Sequence, residues 1–208
     1  MSSSTPSPQR TQSERSDATR TALIAAARPL FAQRGYADVG TEQIVRAAGV
    51  TRGALYHHFG GKDKLFLAVF EDVEDELLEL IGARVVASAV ASPLAALGEG
   101  IDEMLALAVV PGFAQIALID APAVLGWQQW REVGWRYGMG LTEQVLGAAV
   151  EAGELPEQPL RPLAHALLGA LDEAVLYVAR AEDQAAARTQ MAAVLGALLS
   201  GLRAAPEA

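Results

Sequence analysis

Within the fourteen residues GVTRGALYHHFGGK, Gly49 to Lys62, stand an arginine, a lysine, a tyrosine and two adjacent histidines, with four glycines and no acid, in a chain of net charge −9. These side chains present a dense set of hydrogen-bond donors. Arg52 suits guanine O6 and N7 or a phosphate oxygen, and the Ala54 methyl suits a thymine methyl. Gly53 and Ala54 are small enough to let the backbone approach another surface. Tyr56, His57 and His58 can donate to phosphates. A cation at the start of a helix is electrostatically out of place, so an external anion would explain Lys62. A metal centre is a poor fit. Adjacent helical residues point about 100° apart, and the positions four residues on from the two histidines are Gly61 and Lys62. With three histidines in the chain, none at triad spacing, and no cysteine, neither catalysis nor a cofactor is expected.

The elements that would position these residues are short helices. Thr41 reads as an N-cap, with Ile44, Val45 and Ala48 on the inner face of the helix that follows. Gly49 breaks that helix, Thr51 caps the next, and Gly60-Gly61 ends it after Ala54, Leu55 and Phe59. Two such helices across a tight turn make a helix-turn-helix, whose second helix presents its N-terminal residues to a DNA major groove. Thr51 to Phe59 spans about 13 Å at 1.5 Å per residue, which suits a groove about 12 Å wide. A preceding helix over Asp17 to Arg34 carries Leu23, Ala27, Leu30 and Phe31 on one face and stops at Gly35; Pro29 should bend it. Residues 1–16, without an apolar residue after Met1, read as a disordered tail. Charge follows the same division. Residues 1–67 carry nine Lys and Arg against five acids, and the other 141 carry seven against twenty, an asymmetry that points to a nucleic-acid-binding N-terminal part.

The stretch LFAQRGYADVGTEQIVRAAGVTRGALYHHFGGKDKLFLAVFE, Leu30 to Glu71, resembles the DNA-binding signature of the tetracycline-repressor (TetR) family of transcriptional regulators. Phe-x-x-x-Gly-Tyr, Thr-x-x-Ile, Ala-Gly-Val and Leu-Tyr-x-His-Phe occur in order and at family spacing; Gly60-Gly61 departs from it, standing where the family often has a polar pair. The resemblance implies that Thr41, Thr51, Arg52, Gly53, Tyr56, His57, His58 and Lys62 contact double-stranded DNA at a pseudo-palindromic operator. It implies an all-α homodimer: a three-helix DNA-binding domain over 17–63, then a helical domain over 64–208 that binds a small effector and dimerises. A repressor released from its operator by that effector is the expected role. A helical protein-interaction module and a His-dependent hydrolase are the alternatives.

The second half supplies expectations about that effector. A long helix from Lys62 to about Ala87 has an apolar stripe (Leu65, Phe66, Val69, Phe70, Val73, Leu77, Leu80), and its acids Glu71, Asp72, Glu74, Asp75, Glu76 and Glu79 read as a solvated face. Further helices are expected over 93–109, 112–121, 125–152, 160–181 and 184–203. In GWQQWREVGWRYGMG, Trp127 and Trp130 share a helical face with Gly134, and large rings beside missing side chains leave room for a ligand or for another helix. With Met104 and Phe113 from a charge-free run and Asp120 as a polar handle, they form the expected pocket; core packing is the competing account of the same residues. The last two helices carry apolar stripes. The resemblance puts a dimer interface there, at Leu163, Leu167, Leu171, Val175, Val194 and Leu198, with burial inside one chain as the alternative. The charge-free run from Met104 to Ile119 is too short and too interrupted for a membrane span, and the N-terminus lacks a secretory h-region. A cytoplasmic protein with no membrane partner is expected.

Overall fold

The computed structural model describes residues 12–88 and 92–203, with the side chains of 85–88 excluded. Among the described residues the regular structure is helical throughout, as expected: α1 (Gln12–Arg34), α2 (Thr41–Ala48), α3 (Arg52–Phe59), α4 (Lys62–Ser88), α5 (Pro93–Leu107), a π-helical segment (Gln115–Asp120), α6 (Ala121–Leu125), α7 (Trp127–Glu151), α8 (Leu160–Arg180) and α9 (Gln184–Gly201). The chain forms two compact units, Met1–Val69 and Phe70–Ala208. The boundary expected after residue 63 falls inside α4.

In the N-terminal unit, α1 buries Leu23, Ala27 and Phe31 completely, one residue per turn along a single face. It begins at Gln12, so residues 12–16, expected to be part of a disordered tail, are helical; Gln, Glu and Arg favour a helix and Glu14 suits its first turn. The rest of the tail lies outside the described residues. Pro29 sits within α1 on an exposed position and does not end it. Gly35 closes the helix at φ 73°, its N–H donating to the Phe31 carbonyl at 2.9 Å. Behind that turn the rings of Phe31, Tyr36 and Phe66 pack with centroids 5.1–5.7 Å apart, a cluster that closes the small core.

The second unit packs α5 against α7, α8 and α9, with α7 and α9 also against α8. Ser92 caps α5, its Oγ accepting from the Ala95 N–H at 3.2 Å, and Pro93 takes the first helical position, where no donor is missed. The helix expected over 112–121 is instead π-helical from Gln115 to Asp120 and continues as α6. Pro122 offers no N–H to the turn before it, and a widened turn accommodates that loss. Gly126, at φ 80° and ψ 154°, is a break that a residue with a Cβ would resist, and α7 starts immediately after it.

Candidate nucleic-acid interface and ligand cavity

The turn between α2 and α3 is built by backbone capping. Gly49 takes φ 67°; its N–H donates to the Arg46 carbonyl at 3.3 Å, and the Val50 N–H donates to the Val45 carbonyl at 3.0 Å. These two bonds make a Schellman motif, which satisfies carbonyls at the end of α2 and reverses the chain. Thr51 then caps α3, its Oγ1 accepting from the Ala54 N–H at 3.2 Å. Thr41 does not cap α2 as expected. Gly40 is the cap, with its N–H donating to Gln43 Oε1 at 3.1 Å, and half-buried Thr41 is the first helical residue. Gly40 suits the position because its extended backbone leaves the N–H open to Gln43, three residues on. Buried Ile44, Val45 and Leu55 hold the two helices together.

What remains at the leading end of α3 faces outward. Thr51, Arg52, Gly53, Tyr56 and His57 are exposed, while Ala54 and His58 are half-buried. The Arg52 guanidinium donates to Glu42 Oε1 at 3.4 Å and to the Tyr56 hydroxyl at 3.5 Å. The hydrogen bond with Tyr56, and then Glu42, hold its pKa above the ordinary arginine value. Both contacts are long and solvent-exposed, so an outside partner can replace them. A Cβ on Gly53 would meet only Thr51 Oγ1, at an ordinary 3.8 Å, so nothing within the protein requires a glycine there. The His57 and His58 rings meet edge to face at 5.2 Å, and among the described residues no group of three His, Cys, Asp or Glu could hold a metal ion.

Lys62 has a different environment from the one its sequence context implied. Its Nζ donates to the Tyr36 and Val39 carbonyls, each at 2.9 Å, and lies 3.8 Å from the centroid of the Tyr36 ring. The ammonium therefore ties the loop between α1 and α2 to the start of α4.

In the C-terminal unit α4, α5, α7, α8 and the π-helical segment enclose a cavity of about 360 Å³, within the size range of small-molecule sites. Met104, Phe113, Trp130 and Gly134 line it as expected. The Trp130 indole N–H donates to the Ala117 carbonyl at 2.8 Å, which fixes the π-helical segment to α7. Gly134 leaves open space, with nothing within 4 Å of a Cβ built there. Asp120 and Trp127 do not line the cavity. Asp120 accepts from Gln115 Nε2 at 3.0 Å, spanning its own segment. Trp127 is 65% exposed because it opens α7 straight after the Gly126 break, ahead of the turn that points Trp130 inward.

The cavity's polar groups come from residues outside the expected pocket. Glu74, Arg131, Trp135, Tyr137 and Asp172 all line it. Arg131 and Asp172 form an ion pair at 2.8 Å, and the guanidinium lies 4.9 and 5.1 Å from the centroids of the Trp130 and Trp127 rings. Burial pushes the Asp172 carboxyl up to about 6, with Arg131 opposing the rise. Burial, then Asp172 and Asp75, push Glu74 up to about 7. The Trp135 indole N–H is buried without an acceptor. Glu74, expected on the solvated acidic face, lines the cavity instead; its spacing carried a signal, since it lies four residues after Phe70 and three and four before Leu77 and Leu78, along the apolar stripe.

The residues expected at a dimer interface divide into three groups. Val175 is fully buried inside the chain and so cannot reach a partner. Leu167 and Leu171 line the cavity, and Leu163 is half-buried. Val194 and Leu198 are 54% and 56% exposed, and Tyr177 on α8 joins them at 51%. By length and composition α8 could also cross a membrane, and 22% of its most apolar stretch is buried within the chain.

Comparison with known proteins matches both units. Residues 23–69 fit the family model "Bacterial regulatory proteins, tetR family", and residues 94–202 fit "Tetracyclin repressor-like, C-terminal domain". The HTH-type transcriptional regulator CymR of Pseudomonas putida is 44% identical over 75 residues, 36% of this chain and 37% of that protein. The HTH-type transcriptional repressor AcnR of Corynebacterium efficiens is 37% identical over 62 residues, 30% of this chain and 33% of that one. These matches thus span about a third of the curated relatives' length. The crystal structure of a TetR-family transcriptional regulator from Pectobacterium atrosepticum superimposes with a TM-score of 0.79 at 32% identity, over 95% of this chain and 100% of that one. With the family's own models fitting its N-terminal and C-terminal parts alike, and a solved relative matching over nearly its whole length, this chain belongs to the TetR family of bacterial regulatory proteins.

Proposed function

We propose that this chain is a DNA-binding transcriptional regulator that acts as a homodimeric repressor in the cytoplasm and leaves its operator when a small molecule fills the C-terminal cavity. The observation that carries the proposal is the leading end of α3. It is acid-free and exposed, capped by Thr51, and holds a glycine with no internal reason to be one. Set in a major groove, Arg52 reads a base edge or a phosphate, Gly53 and Ala54 allow close approach, and Tyr56, His57, His58, Thr41 and Thr51 donate to the backbone. Residues 17–63 form the DNA-binding domain and 64–208 the effector-binding and dimerisation domain. The exposed apolar side chains of α8 and α9, Tyr177, Val194 and Leu198, meet their copies in a second chain, an occupant that suits α8 better than a lipid bilayer does. The role needs no catalytic group, metal or cofactor.

By linkage, a ligand that releases DNA binds the free dimer more tightly than the DNA-bound one, by about 5–150-fold. The test is footprinting on the DNA upstream of the chain's own coding sequence. Two protected half-sites related by a dyad, with centres about 34–36 Å apart or somewhat more, are expected. Full affinity for a single asymmetric half-site would refute the dimer, and no protection at any salt concentration would refute the DNA-binding role.

A further inference from the structure

The cavity's charges identify the class of ligand, given the proposal that this cavity is the effector site. It is apolar apart from a few polar groups, and three of its lining residues carry formal charge: Glu74, Arg131 and Asp172. Arg131 and Asp172 neutralise each other at 2.8 Å, and the guanidinium face is taken up by Trp130 at 4.9 Å. Glu74 has no such complement. Among the described residues its carboxyl accepts no hydrogen bond and pairs with no cation, and the charges that act on it, Asp172 and Asp75, are acids. A carboxyl kept in an apolar enclosure beside two like charges is unfavourable unless something neutralises it.

We propose that the cavity takes a hydrophobic amine, a ligand with an apolar body and one protonated nitrogen, whose ammonium group docks on Glu74. The cavity of about 360 Å³ accepts the body, and the aromatic rings of Trp135 and Tyr137 in its lining suit a cation. An anion would meet Glu74 and Asp172 with the cavity's one cation already spent. A neutral ligand would leave the carboxyl unpaired.

The titratable groups around Glu74 support a pH signature. Asp75 lies on its own helix, Arg131 and Tyr137 on α7, and Asp172 on α8, while α5 contributes only apolar residues and a glycine to the lining. The Tyr137 pKa is raised by burial and then by the charges of Asp75 and Glu71. With Glu74 titrating at about 7, an amine protonated throughout gains its partner as pH rises through neutrality.

Three near-isosteric probes test the proposal by calorimetry on the full chain: 4-phenylbutylamine, 4-phenylbutanol and 4-phenylbutyric acid. At pH 8 the amine should bind about tenfold or more tightly than the alcohol, since a charge-assisted hydrogen bond is roughly twice as strong as a neutral one, and the acid should bind weakest. Amine affinity should fall towards that of the alcohol at pH 5.5, while the alcohol stays constant. Glu74→Gln should remove the amine's advantage and leave the alcohol's affinity in place. Gly134→Leu, which fills the open space in the cavity, should weaken amine and alcohol together. Equal binding of amine and alcohol at pH 8, or an unchanged amine affinity in Glu74→Gln, overturns the amine assignment and leaves an effector cavity standing. Failure of all three probes to bind overturns both.

Discussion

Replacing Gly53 with alanine should separate stability from DNA binding in opposite directions. Gly53 is exposed in the first turn of α3, at a backbone conformation open to any residue, and the added methyl would touch only Thr51 Oγ1 at 3.8 Å. The fold therefore loses nothing. It gains the reduced backbone freedom of the unfolded chain, about 0.4–1 kcal/mol, in line with the difference of roughly 1 kcal/mol between Gly and Ala inside a helix. In the groove the same methyl projects about 1.5 Å beyond the Cα, between Arg52 and Ala54, where the backbone approaches the bases. Loss of one well-placed base contact corresponds to about 1–3 kcal/mol of discrimination, so operator affinity should fall roughly 5- to 150-fold. Urea denaturation followed by helical circular dichroism reads the first effect, and fluorescence anisotropy with a labelled operator duplex at fixed salt reads the second. A variant less stable than the parent would show that the fold needs the glycine. A variant with unchanged operator affinity would show that α3 does not bring its leading end against the bases.

Lys62→Met should destabilise the N-terminal unit by about 1.5–3 kcal/mol, the range for hydrogen bonds to charged groups, through loss of the Tyr36 and Val39 contacts. Its salt slope for DNA binding should stay near the parent's, and a slope reduced by about 1 without loss of stability would return Lys62 to a phosphate. Arg52→Ala should cost discrimination at one base pair; an equal loss across all operator variants would make it a backbone contact. Glu74→Gln should raise thermal stability at pH 8. The native pKa of about 7 lies above the ordinary glutamate value of 4.5, so the unfolded chain ionises first and parent stability falls as pH rises through that window, by up to about 3 kcal/mol in total. The gain should vanish below pH 4.5, and a Gln variant less stable than the parent at pH 8 would refute the cause. Leu198→Asp should shift the chain to a monomer in sedimentation equilibrium; an unchanged mass would place the interface elsewhere.

The N-terminal unit was legible because its signals are local. Gly35 and Gly49 end helices, Thr51 caps one, and Leu23, Ala27 and Phe31 mark a face; each depends on residues within a turn of itself. The misplacements there arose where two local solutions compete. Gly40 and Thr41 are both acceptable caps, and Gln43 decides between them by accepting the Gly40 N–H. The intrachain contacts of Lys62 were not legible because its partners, the Tyr36 and Val39 carbonyls, lie 26 and 23 residues away. Spacing along a helix cannot show which carbonyls a loop presents to it.

The C-terminal unit resisted in a more general way. Leu, Ala and Val fill α8, and that composition serves a core, a cavity wall and an interface equally well, so nothing in it separates Val175, Leu171 and Tyr177. The structure gives them the three different roles: Val175 is buried, Leu171 lines the cavity and Tyr177 is exposed. The cavity itself was sought at its aromatic residues, and Trp130 does line it, but an aromatic ring is at home in any packed interior. A more diagnostic residue is one that a packed interior would exclude. Glu74 on the stripe of Phe70, Leu77 and Leu78, and Asp172 within the stripe of Leu168, Leu171 and Val175, are acids at positions where burial penalises charge. Asp172 answers that penalty with Arg131 from α7. Glu74 has no such answer within the chain, and the open space beside it is where one from outside would fit.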